Sequence, residues 1–280
     1  MRETVERSTA LREQMVDEQI AARGVRDPLV LRAMRRVPRE LFLREALEEF
    51  AYQDTPLPIE SDQTISQPYI VAYMTAALSL SGGERVLEIG TGSGYAAAVL
   101  AAIADSVYTV ERYANLAASA DARLTRLGYT NVHVLHGDGT LGWPEHAPYD
   151  AIVVDAGGPE VPSSLREQLT IGGRLVIPVG PTARQQRLVR ITRIDEHRYE
   201  QEELLAVAFV PLVGEEGRSE GGERAIGVIY RPESELASHY FAAHLPQQFD
   251  EYAWFEESCA VRPLASHEVA GLPATYPYGL

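Results

Sequence analysis

Nine consecutive residues constrain this chain more than any others: Val86-Leu87-Glu88-Ile89-Gly90-Thr91-Gly92-Ser93-Gly94. The apolar positions around Glu88 read as a short buried strand, the alternating glycines as a turn, and the alanine-rich stretch 94–103 as a helix. Glycines here allow a sharp reversal and bring backbone close to a ligand at the carboxyl end of a strand, where doubly wound sheets bind their cofactors. A dinucleotide fingerprint needs its third glycine one place later, and position 95 is Tyr. The acid before Gly90 also suits a ligand that carries positive charge rather than a pyrophosphate.

The surrounding rhythm predicts the fold. Strand patterns at 85–89, 107–110 and 132–135 alternate with helical ones at 94–103 and 113–127, the latter stopped by Gly128. This is the βαβαβ order of an α/β, doubly wound, Rossmann-like parallel sheet with helices on both faces. A buried strand at 150–154, a short helix at 163–169, a strand at 173–179 and an antiparallel hairpin at 186–194 and 199–210 continue it. Upstream, Leu11, Met15, Val16 and Ile20 form a helical stripe closed by Gly24, and Asp27-Pro28 reads as a cap and first turn. Three parts follow: an N-terminal helical lead-in (1–54), the α/β domain (55–214) and a C-terminal extension (215–280). In the extension, 225–230 reads as a strand, 236–245 as a helix, and Phe249, Tyr252, Trp254 and Phe255 could build a small core.

Two further acids specify the ligand. Glu111 ends the second strand, where a carboxylate can accept from both hydroxyls of a ribose; Asp138, in Gly137-Asp138-Gly139, follows the third, beside an adenine edge. Acid, glycine turn, acid and acid after three successive strands describe a pocket for S-adenosyl-L-methionine, a sulfonium with a ribose and an adenine but no phosphate. The cofactor-binding set is then Glu88, Gly90, Thr91, Gly92, Ser93, Gly94, Glu111, Gly137, Asp138 and Gly139. The plainer alternative is a turn that only connects strand to helix, with acids that are solvated strand ends.

Composition narrows the chemistry. All 25 basic residues are arginine, against 40 acids and a net charge of −15, so Schiff-base, general-base and phosphate-binding lysines are excluded. Such a surface disfavours nucleic acid and anionic membrane. The single cysteine, Cys259, excludes an intrachain disulfide and reads as structural. His133, His136 and His146 lack a metal-binding spacing, and no metal is expected. A polar start and the lack of a long apolar run suggest a cytoplasmic protein. Trp143-Pro144 either covers the adenine or simply packs, and the arginines from Arg184 to Arg198 read as a solvated face.

A wider set of motifs carries a resemblance. Met15-Val16-Asp17-Glu18-Gln19-Ile20, Leu57-Pro58-Ile59, Gln63-Thr64-Ile65-Ser66-Gln67-Pro68, the Glu88–Gly94 turn, His136-Gly137-Asp138-Gly139, the run from Gly172 to Gly180, and Phe209-Val210-Pro211-Leu212 together resemble the protein-L-isoaspartate O-methyltransferase family. The resemblance implies methyl transfer from S-adenosyl-L-methionine to the free carboxylate of an isoaspartyl residue, whose ester loses methanol to form a succinimide. It further implies that Ser66 and the Thr64-Ile65 backbone orient that carboxylate, with Gln63 supporting the loop and Pro68 among the substrate-binding residues; Thr64 and Ser66 could also cap the helix that follows, and both readings can hold at once. A carboxylate with a pKa of about 4 is already ionised at neutral pH, so the acceptor needs no base or metal.

Two features depart from the family pattern. Glu60-Ser61-Asp62 puts two acids beside an anionic acceptor, and Asp155 adds another after the fourth strand. The larger departure is the tail, which holds eleven acids against four arginines. It resembles the branch of the family that methylates an aspartate in a ribosomally made peptide to form an aspartimide. Tail and acidic loop together favour a dedicated peptide substrate over general repair of isoaspartyl proteins. A non-catalytic scaffold with the same fold is a third reading.

Overall fold

The computed structural model describes residues 2–212, Gly214 and Ile229–Tyr230. The helix expected at 236–245, the tail aromatics and Cys259 lie outside the described residues, as does nearly all of the extension 215–280.

An eight-stranded sheet organises the chain in the order β10-β9-β8-β7-β6-β3-β4-β5. Its parallel half comprises β3 (Arg85–Ile89), β4 (Ser106–Glu111), β5 (Val132–His136), β6 (Tyr149–Val154) and β7 (Leu169–Val179). The antiparallel end adds β8 (Gln186–Arg193), β9 (Tyr199–Ala208) and the two residues of β10 (Ile229–Tyr230). The doubly wound arrangement expected from the sequence is the one found. β3 is central: Val86 to Ile89 pair with β4 on one side and β6 on the other, and three of its five side chains are apolar and fully buried or nearly so. Central parallel strands are covered on both faces, which is why they read as near-continuous apolar runs.

Helices α1 (Arg2–Gln14), α2 (Pro28–Arg36), α3 (Pro68–Leu78), α4 (Tyr95–Ala101), α5 (Ala114–Arg126) and α6 (Ser163–Glu167) complete the layers. After α1 the chain continues through a π-helical turn, Met15–Ile20, to Gly24, whose φ of 100° ends the segment as the sequence suggests. Asp27 accepts hydrogen bonds from the Leu29 and Val30 amides, with Pro28 in the first turn. Met15, Val16, Ile20, Met34 and Phe42 share one hydrophobic core with α3 and α4. The lead-in is therefore welded to one face of the sheet, and this brings Arg39 and Asp54 under the loop described below.

Some local details differ from expectation. The helix expected at 163–169 stops at Glu167, and β7 starts at Leu169 rather than 173, because Tyr149 on β6 already pairs with Leu169. The arginines of the hairpin are not merely a solvated face. Arg190 donates to the Ala77 carbonyl at 3.3 Å and pairs with Glu202, while Arg193 donates to the carbonyls of Glu167 and Leu169 at 3.0 and 2.6 Å. Arg184, Arg187 and Arg198 are exposed as expected, Arg187 pairing with Glu203 at 3.5 Å and Arg198 with Asp195 at 3.7 Å. Trp143 packs edge-on against Tyr108 and donates its indole N–H to Glu145. No helix among the described residues is long and apolar enough to cross a membrane.

Candidate active site

The glycine turn opens at the carboxyl end of β3. Gly90, Gly92 and Gly94 have φ of 99°, 51° and 87°, a region that side chains disfavour and that glycine enters at little cost. Gly94 has a second reason: a Cβ there would meet Leu124 of α5 at 3.2 Å. The turn is fastened from the neighbouring strand. One Glu111 oxygen accepts the Gly92 N–H at 2.8 Å and the other the Tyr113 N–H at 2.9 Å, so this buried carboxylate is already oriented at the end of β4. Asp138 follows β5 and accepts from both the amide and the hydroxyl of Thr140; Gly139 packs flat on Ile89, and Gly214 lies beside Asp138 and Thr140. All ten expected cofactor residues thus gather at the carboxyl ends of β3, β4 and β5.

Glu88 behaves differently from the other acids. It is fully buried, and one oxygen accepts from the Thr109 hydroxyl, which is itself hydrogen-bonded to Thr91 at 2.6 Å. Its Oε1 has no hydrogen-bond partner among the described residues. Burial, then the nearby Asp155 and Glu111 carboxylates, push the Glu88 carboxyl well above the usual range, with the Thr109 hydroxyl working the other way. Asp155 lies beside the turn: its amide donates to the Ile89 carbonyl at 2.8 Å, and a Cβ on Gly90 would sit 3.4 Å from its own. Burial pushes Asp155 up to about 7. A buried carboxyl oxygen without a donor, next to a backbone kept bare of side chains, fits a ligand that brings a cationic group. The residues present therefore suit S-adenosyl-L-methionine, which supplies an electrophilic methyl on a sulfonium when bound.

The second half of the site is a small hairpin, β1 (Leu57–Pro58) with β2 (Thr64–Ile65), paired Leu57 to Ile65. Ile59, inside the turn, lies 3.5 Å from where a Gly92 Cβ would be, so the hairpin leans on the cofactor turn. Thr64 Oγ1 is buried with no partner, and Ser66 Oγ makes no hydrogen bond among the described residues. Neither residue caps α3. Gln67 occupies the cap position, its side chain donating to Asp54 rather than capping the helix, and the Tyr69 N–H donates to Asp54 at 3.1 Å. Gln63 closes the turn through backbone bonds with Ile59 and Glu60, and its side chain donates to the Ser61 carbonyl. Ile65 and Pro68 are buried.

The two acids of the turn go to an arginine and to solvent. Glu60 pairs with Arg44 at 3.1 Å; burial opposes ionisation, yet a backbone hydrogen bond, Arg44 and Arg123 hold it below its ordinary value. Asp62 is exposed at the tip, where it and Ser61 adopt φ of 53° and 58°, and Ser61 is tied to Asn115 of α5 at 2.9 Å.

A family model described as protein-L-isoaspartate(D-aspartate) O-methyltransferase matches residues 10–217, spanning both halves of this site. The chain belongs to the protein-L-isoaspartate O-methyltransferase family. It is 64% identical over 206 residues to protein-L-isoaspartate O-methyltransferase 2 of Pelobacter propionicus, covering 74% of this chain and 92% of the relative. It is 63% identical over 206 residues to protein-L-isoaspartate O-methyltransferase 1 of Geotalea uraniireducens, covering 74% and 94%. Among solved structures, a protein-L-isoaspartate O-methyltransferase superposes with a TM-score of 0.67 at 32% identity, over 72% of this chain and 66% of that one. A Plasmodium falciparum protein described as a member of the same family, in complex with S-adenosyl-L-homocysteine, gives 0.61 at 26% identity, over 72% and 98%. The family makes this chain a carboxyl O-methyltransferase that uses S-adenosyl-L-methionine. A second model, erythromycin esterase, matches residues 198–258; nothing in the described residues explains it.

Sequence reasoning missed what stands behind the Thr64–Pro68 segment of this methyltransferase. Arg39 is fully buried, donating to the carbonyls of Ala51 at 2.8 Å, Ser66 at 2.7 Å and Thr55 at 3.2 Å, with its guanidinium 5.2 Å from the Tyr95 ring centroid. Asp54 accepts from Gln67 Nε2 at 2.7 Å and pairs with Arg23, which stacks 3.8 Å over the Tyr69 ring. The one available signal was Arg39 itself, following Pro38 in a stretch without helical periodicity. Among the described residues no group of three or more metal-ligating side chains comes together.

Proposed function

We propose that this chain methylates the free carboxylate of isoaspartyl residues in proteins at large, a repair activity, rather than one dedicated peptide. The observation that carries the acceptor side is the pair of hydroxyls on β2 and just after it. Thr64 Oγ1 is buried without a partner, and Ser66 Oγ is unengaged, on a loop fastened from behind. A buried unsatisfied hydroxyl costs about 1–3 kcal/mol, and such groups call for a ligand to explain them. Two donors on one loop suit a carboxylate.

In this reading Ser66 and Thr64 orient the carboxylate, the Ile65 backbone and Pro68 shape its seat, and Gln63 holds the turn. Glu111, Asp138 and the glycines bind the adenosine part, and Glu88 faces the cationic end. One acceptor oxygen attacks the methyl carbon in line as the carbon–sulfur bond breaks, giving the ester and S-adenosyl-L-homocysteine. The next backbone amide nitrogen then attacks the ester carbonyl, loses its proton and expels methanol, closing the succinimide. Positioning and exclusion of water supply the catalysis, since the nucleophile is already charged.

General repair is favoured over peptide tailoring on two grounds. The family model spans residues 10–217, which build both halves of the site, and the relatives at 63–64% identity over 206 residues each carry the name protein-L-isoaspartate O-methyltransferase. The acidic turn, which had argued for an unusual substrate, turns its charges onto Arg44 and into solvent. The test uses the full chain, S-adenosyl-L-methionine and two peptides that differ only in an aspartyl or isoaspartyl linkage. Methyl incorporation into the isoaspartyl peptide alone is expected, and Ser66→Ala is expected to lower its rate at least about tenfold while leaving S-adenosyl-L-homocysteine affinity unchanged. Equal methylation of both peptides, or an unaltered Ser66→Ala rate, would overturn the reading.

A further inference from the structure

Among the described residues Arg39 is the one fully buried charged side chain of the acceptor half of the site, and its hydrogen bonds go to carbonyls: Ala51, Thr55 and, closest, Ser66. Among the described residues no carboxylate lies within ion-pair distance of it. The charged and titratable groups that face it are few. Asp54 lies nearby but is engaged by Arg23, Gln67 and the Tyr69 amide, and Tyr95 and Tyr52 are neutral phenols. Burial lowers the Arg39 pKa only to about 10, with Tyr95, Asp54 and Tyr52 working the other way, so the guanidinium is charged at neutral pH. A buried charge whose direct partners are all carbonyls, and whose nearby carboxylate is already paired with Arg23, keeps much of its field, and the interior transmits that field far better than water does. Here the direct contact with the Ser66 carbonyl aims it at the acceptor segment of a protein whose net charge of −15 otherwise repels anions.

We propose that Arg39 is a positioning and specificity residue: it fixes the Ser66 backbone and supplies the positive potential that selects an ionised carboxylate over a neutral group at the acceptor site. This rests on the isoaspartyl reading above. It goes further in naming charge, not shape alone, as what the loop recognises, and in giving the source of that charge outside the loop.

The test compares an isoaspartyl peptide with its isoasparaginyl isostere, which has the same shape and no charge, for binding to the full chain saturated with S-adenosyl-L-homocysteine. Wild type is expected to prefer the charged peptide. Arg39→Met is expected to weaken the isoaspartyl peptide about tenfold more than the isoasparaginyl peptide, as loss of one unit charge does across about 10 Å at an effective dielectric of about 20. Arg39→Lys keeps the charge but not the fork, and is expected to keep the preference even if both peptides bind more weakly. Equal weakening of both peptides in Arg39→Met would reduce Arg39 to a structural prop and overturn the proposal. If Arg39→Met fails to fold, as shown by loss of S-adenosyl-L-homocysteine binding, Arg39→Lys decides alone: a retained preference supports the proposal and a lost one overturns it. A wild type that binds S-adenosyl-L-homocysteine and neither peptide would instead refute the isoaspartyl reading.

Discussion

Asp155→Asn should make the ligand-free protein more stable, and the gain should grow with pH. Asp155 sits against the buried Glu88 at the end of β6, and burial raises its pKa from 3.8 to about 7. Below the unfolded value both states hold the proton and the site costs nothing. As pH climbs from there towards the folded value, the unfolded chain releases a proton that the folded chain keeps, and stability falls throughout that interval. A rise from 3.8 to about 7 corresponds to at most about 4 kcal/mol at about 1.4 kcal/mol per pH unit. Between pH 5 and 7 the difference between variant and wild type should therefore widen by about 2 kcal/mol. Urea unfolding of both proteins across that range, without cofactor, measures it. Parallel curves would refute the account, since they would mean that the Asp155 carboxyl ionises as it does in the unfolded chain.

Thr64→Val removes a buried hydroxyl that has no partner, so it should raise stability by about 1 kcal/mol in urea unfolding while lowering methyl transfer about tenfold; a loss of stability would show that the hydroxyl is satisfied. Glu111→Ala strips the partners from the Gly92 and Tyr113 amides and should cost about 1–3 kcal/mol together with at least about tenfold in S-adenosyl-L-homocysteine affinity by calorimetry. Unchanged affinity would confine Glu111 to bracing the turn. Gly139→Ala would set a Cβ 2.3 Å from Ile89 Cγ2, a rigid neighbour on the central strand, and should destabilise by about 1–3 kcal/mol.

The cofactor half of the site was legible in the sequence because its parts are local. Strand, turn and cap announce themselves within a few residues, and the acids follow directly on strand ends. The acceptor half was legible only as a motif. Its support comes from Arg39 and Asp54, which are 27 and 13 residues away from the groups they hold and bind through carbonyls, an amide and a side-chain amide that no periodicity marks. The same limit hid the capping of α3: Thr64 and Ser66 have the right chemistry for caps, but Asp54 arrives from another segment and takes the Tyr69 amide. Glu60 and Asp62 looked like obstacles in one dimension, and only the hairpin turn shows where their charges go.

The central position of β3 also sets the order in which the molecule can be completed during synthesis. β3 precedes both of its neighbours in the chain, and the farther of them, β6, begins about 60 residues downstream, at Tyr149. Non-local pairing of this kind is slow to form and leaves apolar strand edges open until the partner arrives. Asp155, which backs the Gly90 turn, comes at the very end of that interval. A nascent chain halted before Tyr149 would contain every glycine of the motif, and Glu88, Glu111 and Asp138 as well, yet it would have one open edge where the site should close.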